Sequence, residues 1–368
     1  MKRILIIIGL IVVAIAIGVG IYFGWEKSQE ILSPVFNSKP SEETALKEPK
    51  TKLKVLSQNS VIGFWTDNSG QDVYYLSFDG KIINIKDGQE ETLSDNNIGD
   101  IKNTGFSNDG KFVLVETSNG WRMFNLEDKK WQDLPSAITS AHFSPDSKKI
   151  AFLSDNQKGY SDLITGDLAS FKKGLAGFSK NQTKILSLAQ KDFDINWISQ
   201  NKILLLTRRA SDINSEFWSV DVKTKTISRF LAGNELSAIW SKSGDLGFGL
   251  EIFDNQPKVF LFDQDGAKIA DFRFFTFPSK CAIASGPNVF CAIPADQGAF
   301  AKVKSINQYF KRGIFTKDYV VKIDISANKI EEIFDGGPET IDADKAFFAG
   351  NQFFFVNRYD NRLYSLEL

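Results

Sequence analysis

Short runs of apolar residues alternate with tight polar turns along most of the chain, and the clearest example spans residues 141–153. There Ala141-His142-Phe143 is followed by the polar residues Ser144-Pro145-Asp146 and then by an apolar run at 150–153. Proline presets φ for the first position of a turn, and an aspartate side chain accepts a backbone N–H two residues further on. The pattern therefore predicts a strand, a tight turn and a second, buried strand.

Variants of this strand–turn–strand unit recur along the chain. They occupy residues 105–114, 196–205 and 239–248, and further short strands separated by turn residues fill the intervals. A repeat of roughly forty residues that holds four antiparallel strands is typical of a β-propeller blade. The pattern predicts an all-β, seven-bladed β-propeller over residues 51–368, while the irregular third and sixth repeats leave six or eight blades open.

The seventh repeat ends one strand short of a complete blade. An open sheet edge invites aggregation, so a propeller needs a strand from elsewhere to pair with it. Residues 51–56, Thr51-Lys52-Leu53-Lys54-Val55-Leu56, resemble the fourth strands of the other repeats and precede the first repeat. We therefore expect this segment to pair with the C-terminal blade and close the ring.

An uncharged apolar segment at residues 4–23 precedes the repeats. It matches the ~20 residues that a helix needs to cross the hydrocarbon core of a bilayer. Because Lys2 and Arg3 come before it, the positive-inside rule places the N-terminus in the cytoplasm. We predict that residues 1–25 form a cytoplasmic tip and a single-pass anchor in the cell membrane, with the propeller extracytoplasmic. A cleaved signal peptide, with Ala14-Ile15-Ala16 as its possible cleavage site, is the alternative.

Two further expectations concern the N-terminal region. Residues 26–50 are rich in Ser, Pro, Glu and Lys, which predicts a flexible linker between the anchor and the propeller. Within the apolar segment, Ala16, Gly20 and Gly24 are spaced by four residues. Small residues at this spacing allow two membrane helices to approach closely, so they suggest a weak homodimer.

Composition excludes some functions. The chain has 44 Lys and Arg against 45 Asp and Glu, a net charge of -1, which argues against a nucleic-acid partner. Its one histidine, His142, lacks the companions of a metal site or a catalytic triad and is expected to be a strand residue. With no phosphate-binding loop, metal cluster or nucleophile motif in view, we expect no cofactor, no metal and no enzymatic activity.

The two cysteines flank a predicted hairpin turn centred on Gly286. Cys281 and Cys291 lie at equal distances from that turn, so they face each other across the strands. An extracytoplasmic location permits oxidation, and we predict a structural disulfide. A pair of buried free thiols is the alternative.

A long insertion in the sixth repeat, residues 294–317, mixes aromatic and basic residues. It lies on the same face as the links between blades, where Arg208 and Arg209 begin an equivalent loop. Exposed aromatic and Arg side chains dominate binding hot spots, so residues of both loops are candidate anchors for a partner. They are Arg208, Arg209, Tyr309, Phe310, Lys311 and Arg312. The alternative is a loop that folds back and pads its own blade.

The repeat openings resemble those of TolB-type, WD-like propellers. The resemblance is carried by Phe143-Ser144-Pro145-Asp146 and, in part, by residues 106–110 and 240–244. The resemblance extends over residues 51–368. The chain also resembles uncharacterised bacterial propeller proteins that carry such repeats behind one N-terminal helix. The resemblance implies a non-catalytic platform for an unknown protein partner at the cell envelope. The alternative function is the binding or processing of envelope glycans. A third possibility is that the chain is one part of an enzyme whose catalytic chain is separate.

Overall fold

The computed structural model describes residues 35–36, 53–67, 69–156, 158–171, 181–191, 193–207, 214–254, 256–284, 286–300, 307–337 and 339–368. No helix in these ranges has the length and apolar character needed to span a membrane. The predicted anchor at residues 4–23 lies outside them. The helices within these ranges are short, namely α1 (Leu168–Phe171), α2 (Gln297–Phe300), α3 (Asn307–Phe310) and a 3-10 turn at Pro278–Lys280.

The chain is all-β, as predicted, and the strands of the described residues form six sheets. One sheet consists of β3 (Val61–Thr66), β4 (Val73–Ser77), β5 (Ile82–Lys86) and β6 (Gln89–Ser94). The next two are β7 (Asn103–Phe106), β8 (Phe112–Thr117), β9 (Gly120–Asn125) and β10 (Lys130–Asp133), then β11 (Ile138–Phe143), β12 (Lys149–Asp155), β13 (Ser161–Asp167) and β14 (Gln182–Leu188). Further along are β22 (Cys281–Ile283), β23 (Asn288–Pro294), β24 (Asp318–Asp324) and β25 (Lys329–Phe334). The last combines β26 (Ala343–Ala349), β27 (Gln352–Asn357) and β28 (Leu363–Glu367) with β2 (Leu53–Val55).

The sixth sheet has eight strands. Seven of them form two four-stranded units that share one long strand, and the short β1 is the eighth. Its members are β15 (Phe193–Ser199), β16 (Lys202–Thr207), β17 (Asn214–Asp221), β18 (Ile227–Trp240), β19 (Leu246–Phe253), β20 (Gln256–Asp263), β21 (Lys268–Phe272) and the parallel β1 (Val35–Phe36). The N-terminal half of β18 pairs with β17 and its C-terminal half with β19. The register shifts between Asn234 and Ser237, which bends the strand from one unit into the next.

Seven four-stranded units therefore follow one another along the described chain, and apolar layers join them. For example, Trp65 and Leu76 of the first unit pack with Val113 and Phe124 of the second. Comparable layers lie between each later pair of neighbours. The last layer joins the seventh unit back to the first. Because both faces of each unit are covered, the strands read as nearly continuous apolar runs rather than as alternating ones.

Strand β2, which precedes the first unit, meets the C-terminal strand β28 in the seventh unit. Strand β2 runs antiparallel to β28, with Leu53 opposite Leu366 and Val55 opposite Tyr364. Leu56 N donates a 2.8 Å hydrogen bond to Leu363 O just beyond the ladder. This pairing covers the edge that β28 would otherwise expose. Strand β1 lies within the predicted linker, 26–50, where residues 35 and 36 pair with Asp271 and Phe272.

The recurring Ser–Asp turns owe their shape to a repeated side-chain hydrogen bond. Serine Oγ donates to the aspartate carboxylate over 2.6 Å in the Ser107–Asp109 turn and 2.7 Å in the Ser144–Asp146 turn. The turns also bind one another, since Asn108 Nδ2 donates to Pro145 O over 2.9 Å. The motif therefore fixes the turn locally and joins neighbouring units.

Candidate interaction surface

The predicted binding loop connects β23 to β24. Ala295 N donates to Lys317 O over 2.8 Å and closes its base. Its described parts are α2, α3 and the turn that follows α3, in which Arg312 N donates to Tyr309 O over 2.9 Å and Gly313 N to Gln308 O over 2.8 Å. Arg312 has a φ of 59°, so this turn ends the helix in a left-handed conformation.

Tyr309 was predicted to anchor a partner, and that prediction is wrong because its side chain is buried. Its ring stacks on Phe277 with the centroids 3.7 Å apart, and the Arg358 guanidinium lies 3.8 Å from its centroid. The Tyr309 hydroxyl donates to Asp342 Oδ1 over 3.1 Å. At this residue the loop folds back onto its own propeller, which is the alternative that the sequence left open.

A buried ionic network lies beneath the loop. Lys280, at the end of the 3-10 turn, donates to Asp342 Oδ1 over 2.6 Å and to a carboxylate oxygen of Asp318. All three side chains are fully buried. Asp318 begins β24, while Asp342 immediately precedes β26 in the seventh unit. The network therefore joins the sixth and seventh units through charged groups rather than through apolar contact.

Arg358 balances the second carboxylate of the network. Its guanidinium donates to Asp342 Oδ2 over 2.8 Å, to Ile314 O over 3.1 Å and to Tyr309 O over 2.7 Å. Two cations and two carboxylates are thus buried together, with no net charge. Arg358 follows the end of β27, so the seventh unit holds the backbone of the loop in the sixth.

The remaining polar groups of the network have partners as well. Thr316 N donates to Asp342 Oδ2 over 3.1 Å, and Ala343 N donates to Asp318 Oδ2 over 2.8 Å. Burial raises the pKa of Asp318, and the Lys280 ammonium opposes that shift. Burial, with help from the Asp342 carboxylate, raises the pKa of Tyr309 well above its ordinary value, so its hydroxyl remains a donor. Buried charges persist only when they are paired in this way.

Exposed aromatic and basic side chains lie on the loop and on the turn that follows β27. Phe315 and Tyr359 are 43% and 49% exposed, and their ring centroids lie 5.3 Å apart. The Tyr359 hydroxyl donates to Thr316 O over 3.2 Å, and the Arg358 guanidinium lies 5.0 Å from the Phe315 centroid. Lys311 and Arg312 are exposed a few residues before Phe315. We call Lys311, Arg312, Phe315 and Tyr359 the aromatic–cationic surface.

The other predicted anchors have different positions. Phe310 is half-buried and packs edge-on against Phe277, with centroids 5.8 Å apart, so it faces inward rather than toward a partner. Arg208 and Arg209 lie outside the described residues, as do Ala16, Gly20 and Gly24. Lys311 and Arg312 stay predictions.

The predicted disulfide is confirmed. Cys281 and Cys291 form a bond of 2.11 Å between Sγ atoms, and the two residues are direct partners across β22 and β23. Both cysteines are buried in the apolar layer between the fifth and sixth units. The disulfide begins one residue after Lys280, so it fixes the strand on which the ionic network is built.

His142 lies in β11, where its Nδ1 is 2.8 Å from Phe143 O. Burial lowers its pKa, so the ring is neutral near pH 7. In the described ranges no group of three or more His, Cys, Asp or Glu residues could hold a metal ion.

Solved structures of β-propellers share this arrangement. The β-propeller domain of Myceliophteria thermophila Cps50 (Swd1) matches with a TM-score of 0.55 at 10% identity, covering 86% of this chain and 100% of that one. The RRP9 WD40 repeats match with a TM-score of 0.54 at 10% identity, covering 86% and 97%. An oligogalacturonate lyase in complex with manganese matches with a TM-score of 0.56 at 10% identity, covering 87% and 91%.

The chain has a β-propeller fold. No protein-family model matches it, and no curated protein sequence does. At this level of identity the structural likeness concerns the fold alone, and it includes both WD40 repeats and a lyase. Function therefore has to be argued from the surface of this chain.

Sequence reasoning missed the ionic network. Lys280, Asp318 and Asp342 each lie at the start of an apolar strand, and Arg358 follows another. A charge at the entrance of a buried strand is unusual unless it is paired. The sequence shows these charged residues beside apolar strands. It does not show which of them pair, because the ion pairs join residues from two units of the propeller.

Proposed function

We propose that this protein is a non-catalytic interaction scaffold built on a seven-bladed propeller, each four-stranded unit being one blade. Residues 1–25 form its cytoplasmic tip and single-pass membrane anchor, residues 26–50 its linker, and the propeller is extracytoplasmic. Its partner is a protein at the cell envelope. The observation that carries the proposal is the aromatic–cationic surface, which is exposed and held from beneath by buried charged groups.

This surface has the chemistry of a binding hot spot. Exposed aromatic rings bring a large contact area, and cationic residues nearby in sequence bring hydrogen-bond donors. Because Arg358 and Tyr359 fix the loop backbone at Ile314 and Thr316, Phe315 is presented with little freedom to lose on binding. A surface ordered in advance binds with a smaller entropy cost.

Photo-crosslinking in intact cells tests the proposal. A photoreactive phenylalanine replaces Phe315, which is 43% exposed. As a matched control it replaces Phe253, which is 49% exposed but lies at the end of β19. We expect one protein adduct from position 315 that is absent at 253. The double variant Lys311→Glu/Arg312→Glu should abolish that adduct. Equal adducts at both positions would contradict the assignment of the surface, while capture of wall glycan instead would favour the glycan-binding alternative.

A further inference from the structure

Lys280 is the only lysine that is buried in the part of the chain that the structure describes. Its Nζ contacts two carboxyl groups at once, those of Asp318 and Asp342, and none of the three side chains has exposed surface. An amine held against a carboxyl group meets the proximity requirement for an amide bond between side chains. A second carboxyl group beside the amine supplies the proton transfer that such a reaction needs.

The surroundings give the two carboxyl groups different roles. Asp342 accepts hydrogen bonds from Arg358 over 2.8 Å and from Thr316 N over 3.1 Å, so its charged form is stabilised. Within the described ranges, Lys280 is the only cation paired with Asp318. Burial raises the pKa of Asp318. When two carboxyl groups have such different surroundings, one takes up a proton and the other stays ionised. Asp318 is therefore the group that is protonated, and Asp342 is the base.

Hydrogen bonds also prepare the Asp318 carboxyl group for attack. Ala343 N donates over 2.8 Å to Asp318 Oδ2, the oxygen that Lys280 also contacts. A backbone N–H at this oxygen stabilises the negative charge that develops there when an amine attacks the carboxyl carbon. Thr316 Oγ1 lies 2.8 Å from Lys280 Nζ and 2.7 Å from Asp318 Oδ1, so its hydroxyl connects the amine to the second oxygen. The Tyr309 ring centroid lies 5.2 Å from the same Nζ and encloses the amine on that side.

We infer that the side chains of Lys280 and Asp318 join in an amide bond after folding, with the release of one water molecule and with Asp342 as the proton carrier. The Lys280 ammonium first gives a proton to Asp318 Oδ1 through the Thr316 hydroxyl. The nitrogen lone pair then attacks the carboxyl carbon of Asp318, and the C=O electron pair moves to Oδ2. Asp342 takes a proton from the nitrogen and passes it to the Oδ1 hydroxyl. That group leaves as water, the C=O bond re-forms, and Asp342 is again a carboxylate.

The buried ion pair is the state from which this bond forms. Desolvation penalises both of its charges, whereas the amide product carries none. The pair of Asp342 with Arg358 remains and is neutral overall. The bond connects the residue before β22 to the first residue of β24, so it spans the intervening strand β23. It does not depend on the proposed scaffold function, and either can fail without the other.

Peptide mapping of the full chain by mass spectrometry, after reduction of the disulfide, tests the inference. We expect trypsin to leave the chain uncut after Lys280, because the amine is acylated. One branched peptide should contain residues 280 and 318 and weigh one water less than the sum of its two parts. The matched control is Lys268, whose ammonium contacts Glu251 but whose side chain is 42% exposed. The peptides that contain Lys268 and Glu251 should be unlinked.

Two variants assign the reacting groups. Lys280→Arg keeps the positive charge but removes the amine. The native chain should therefore be lighter than this variant by one water, in addition to the mass difference between lysine and arginine. Asp342→Asn should also give unlinked peptides of full mass, because an amide side chain cannot carry the proton. Circular dichroism shows whether each variant is folded, and the native peptide map needs no variant.

Unlinked peptides of full mass from the native chain would overturn the inference. A loss of water that persists in Lys280→Arg would also overturn it, because the reaction would then lie elsewhere in the chain. A bond that forms equally fast in folded Asp342→Asn would contradict the role of Asp342 as proton carrier.

Discussion

Lys280 and Asp342 are 62 residues apart in sequence and belong to neighbouring sheets, yet the lysine ammonium donates a 2.6 Å hydrogen bond to the aspartate inside the protein. The same aspartate accepts a 2.8 Å hydrogen bond from Arg358 on its other oxygen. The Asp342 carboxylate thus binds a lysine that precedes the first strand of the sixth unit and an arginine that follows β27 in the seventh. The exposed loop is therefore ordered by charges that never reach solvent.

Lys280→Met should destabilise the propeller strongly. The change leaves Asp318 buried without its cation and Asp342 with only one, and breaking a buried ion pair costs ~3–5 kcal/mol. The matched control is Lys329→Met, which removes a surface pair with Glu331 whose side chains are 65% and 57% exposed. That variant should lose less than ~1 kcal/mol. Urea denaturation measures both, and equal losses would contradict the structural role of Lys280.

Removing the disulfide should lower stability without changing the fold. The bond closes a short loop, since its cysteines are 10 residues apart, which corresponds to about 2–3 kcal/mol. The double variant Cys281→Ala/Cys291→Ala should show this loss in denaturation experiments. A reductant should have no further effect on it. An unchanged unfolding midpoint would mean that the bond is dispensable to the hairpin.

Gly244→Ala should cost more stability than Gly286→Ala. Both glycines have positive φ, 73° and 89°, so each alanine brings a conformational penalty of ~1–2 kcal/mol. A Cβ at Gly244 would also lie 2.1 Å from Ile198 O, whereas one at Gly286 meets no atom within 4 Å. Only the first substitution forces the fourth and fifth units apart. Equal losses in a denaturation assay would show that the contact between these turns is easily relaxed.

Asp245 should make part of the stability depend on pH. Hydrogen bonds from Ser241 and Ser243 lower its pKa below the ordinary value. A carboxyl whose pKa is lower in the folded state adds stability above its unfolded pKa of ~3.9, and that stability is lost as the pH falls through the folded pKa. The melting temperature of Asp245→Asn should therefore be below that of the native protein at about pH 6 and approach it at about pH 3.

A second substitution separates this effect from packing. Ser243→Ala removes one donor to the carboxylate, which lies 2.5 Å from Ser243 Oγ. In that background, the pH-dependent part of the Asp245→Asn effect should shrink. A difference in melting temperature that is the same at all pH values would mean that the carboxylate charge plays no part in the turn.

Local chemistry made the strands, the Ser–Asp turns and the disulfide predictable. Cys281 and Cys291 could be paired because they are symmetric about one turn, and strand pairing within a hairpin depends only on nearby residues. Tyr309 could not be placed from sequence, because aromatic residues among lysines occur both on exposed surfaces and beneath loops. Its burial depends on Phe277 and Arg358, which come from elsewhere in the fold.

The pairing of β2 with β28 has a consequence for biosynthesis. Leu53 leaves the ribosome long before its partner Leu366 is made, and at ~5–20 residues per second the interval is roughly 15–60 seconds. During that time each new unit can pack on the preceding one, but the exposed edges of the first and last units have no partner. Folding is thus completed only after translation of the final strand, and premature termination leaves an open, aggregation-prone product.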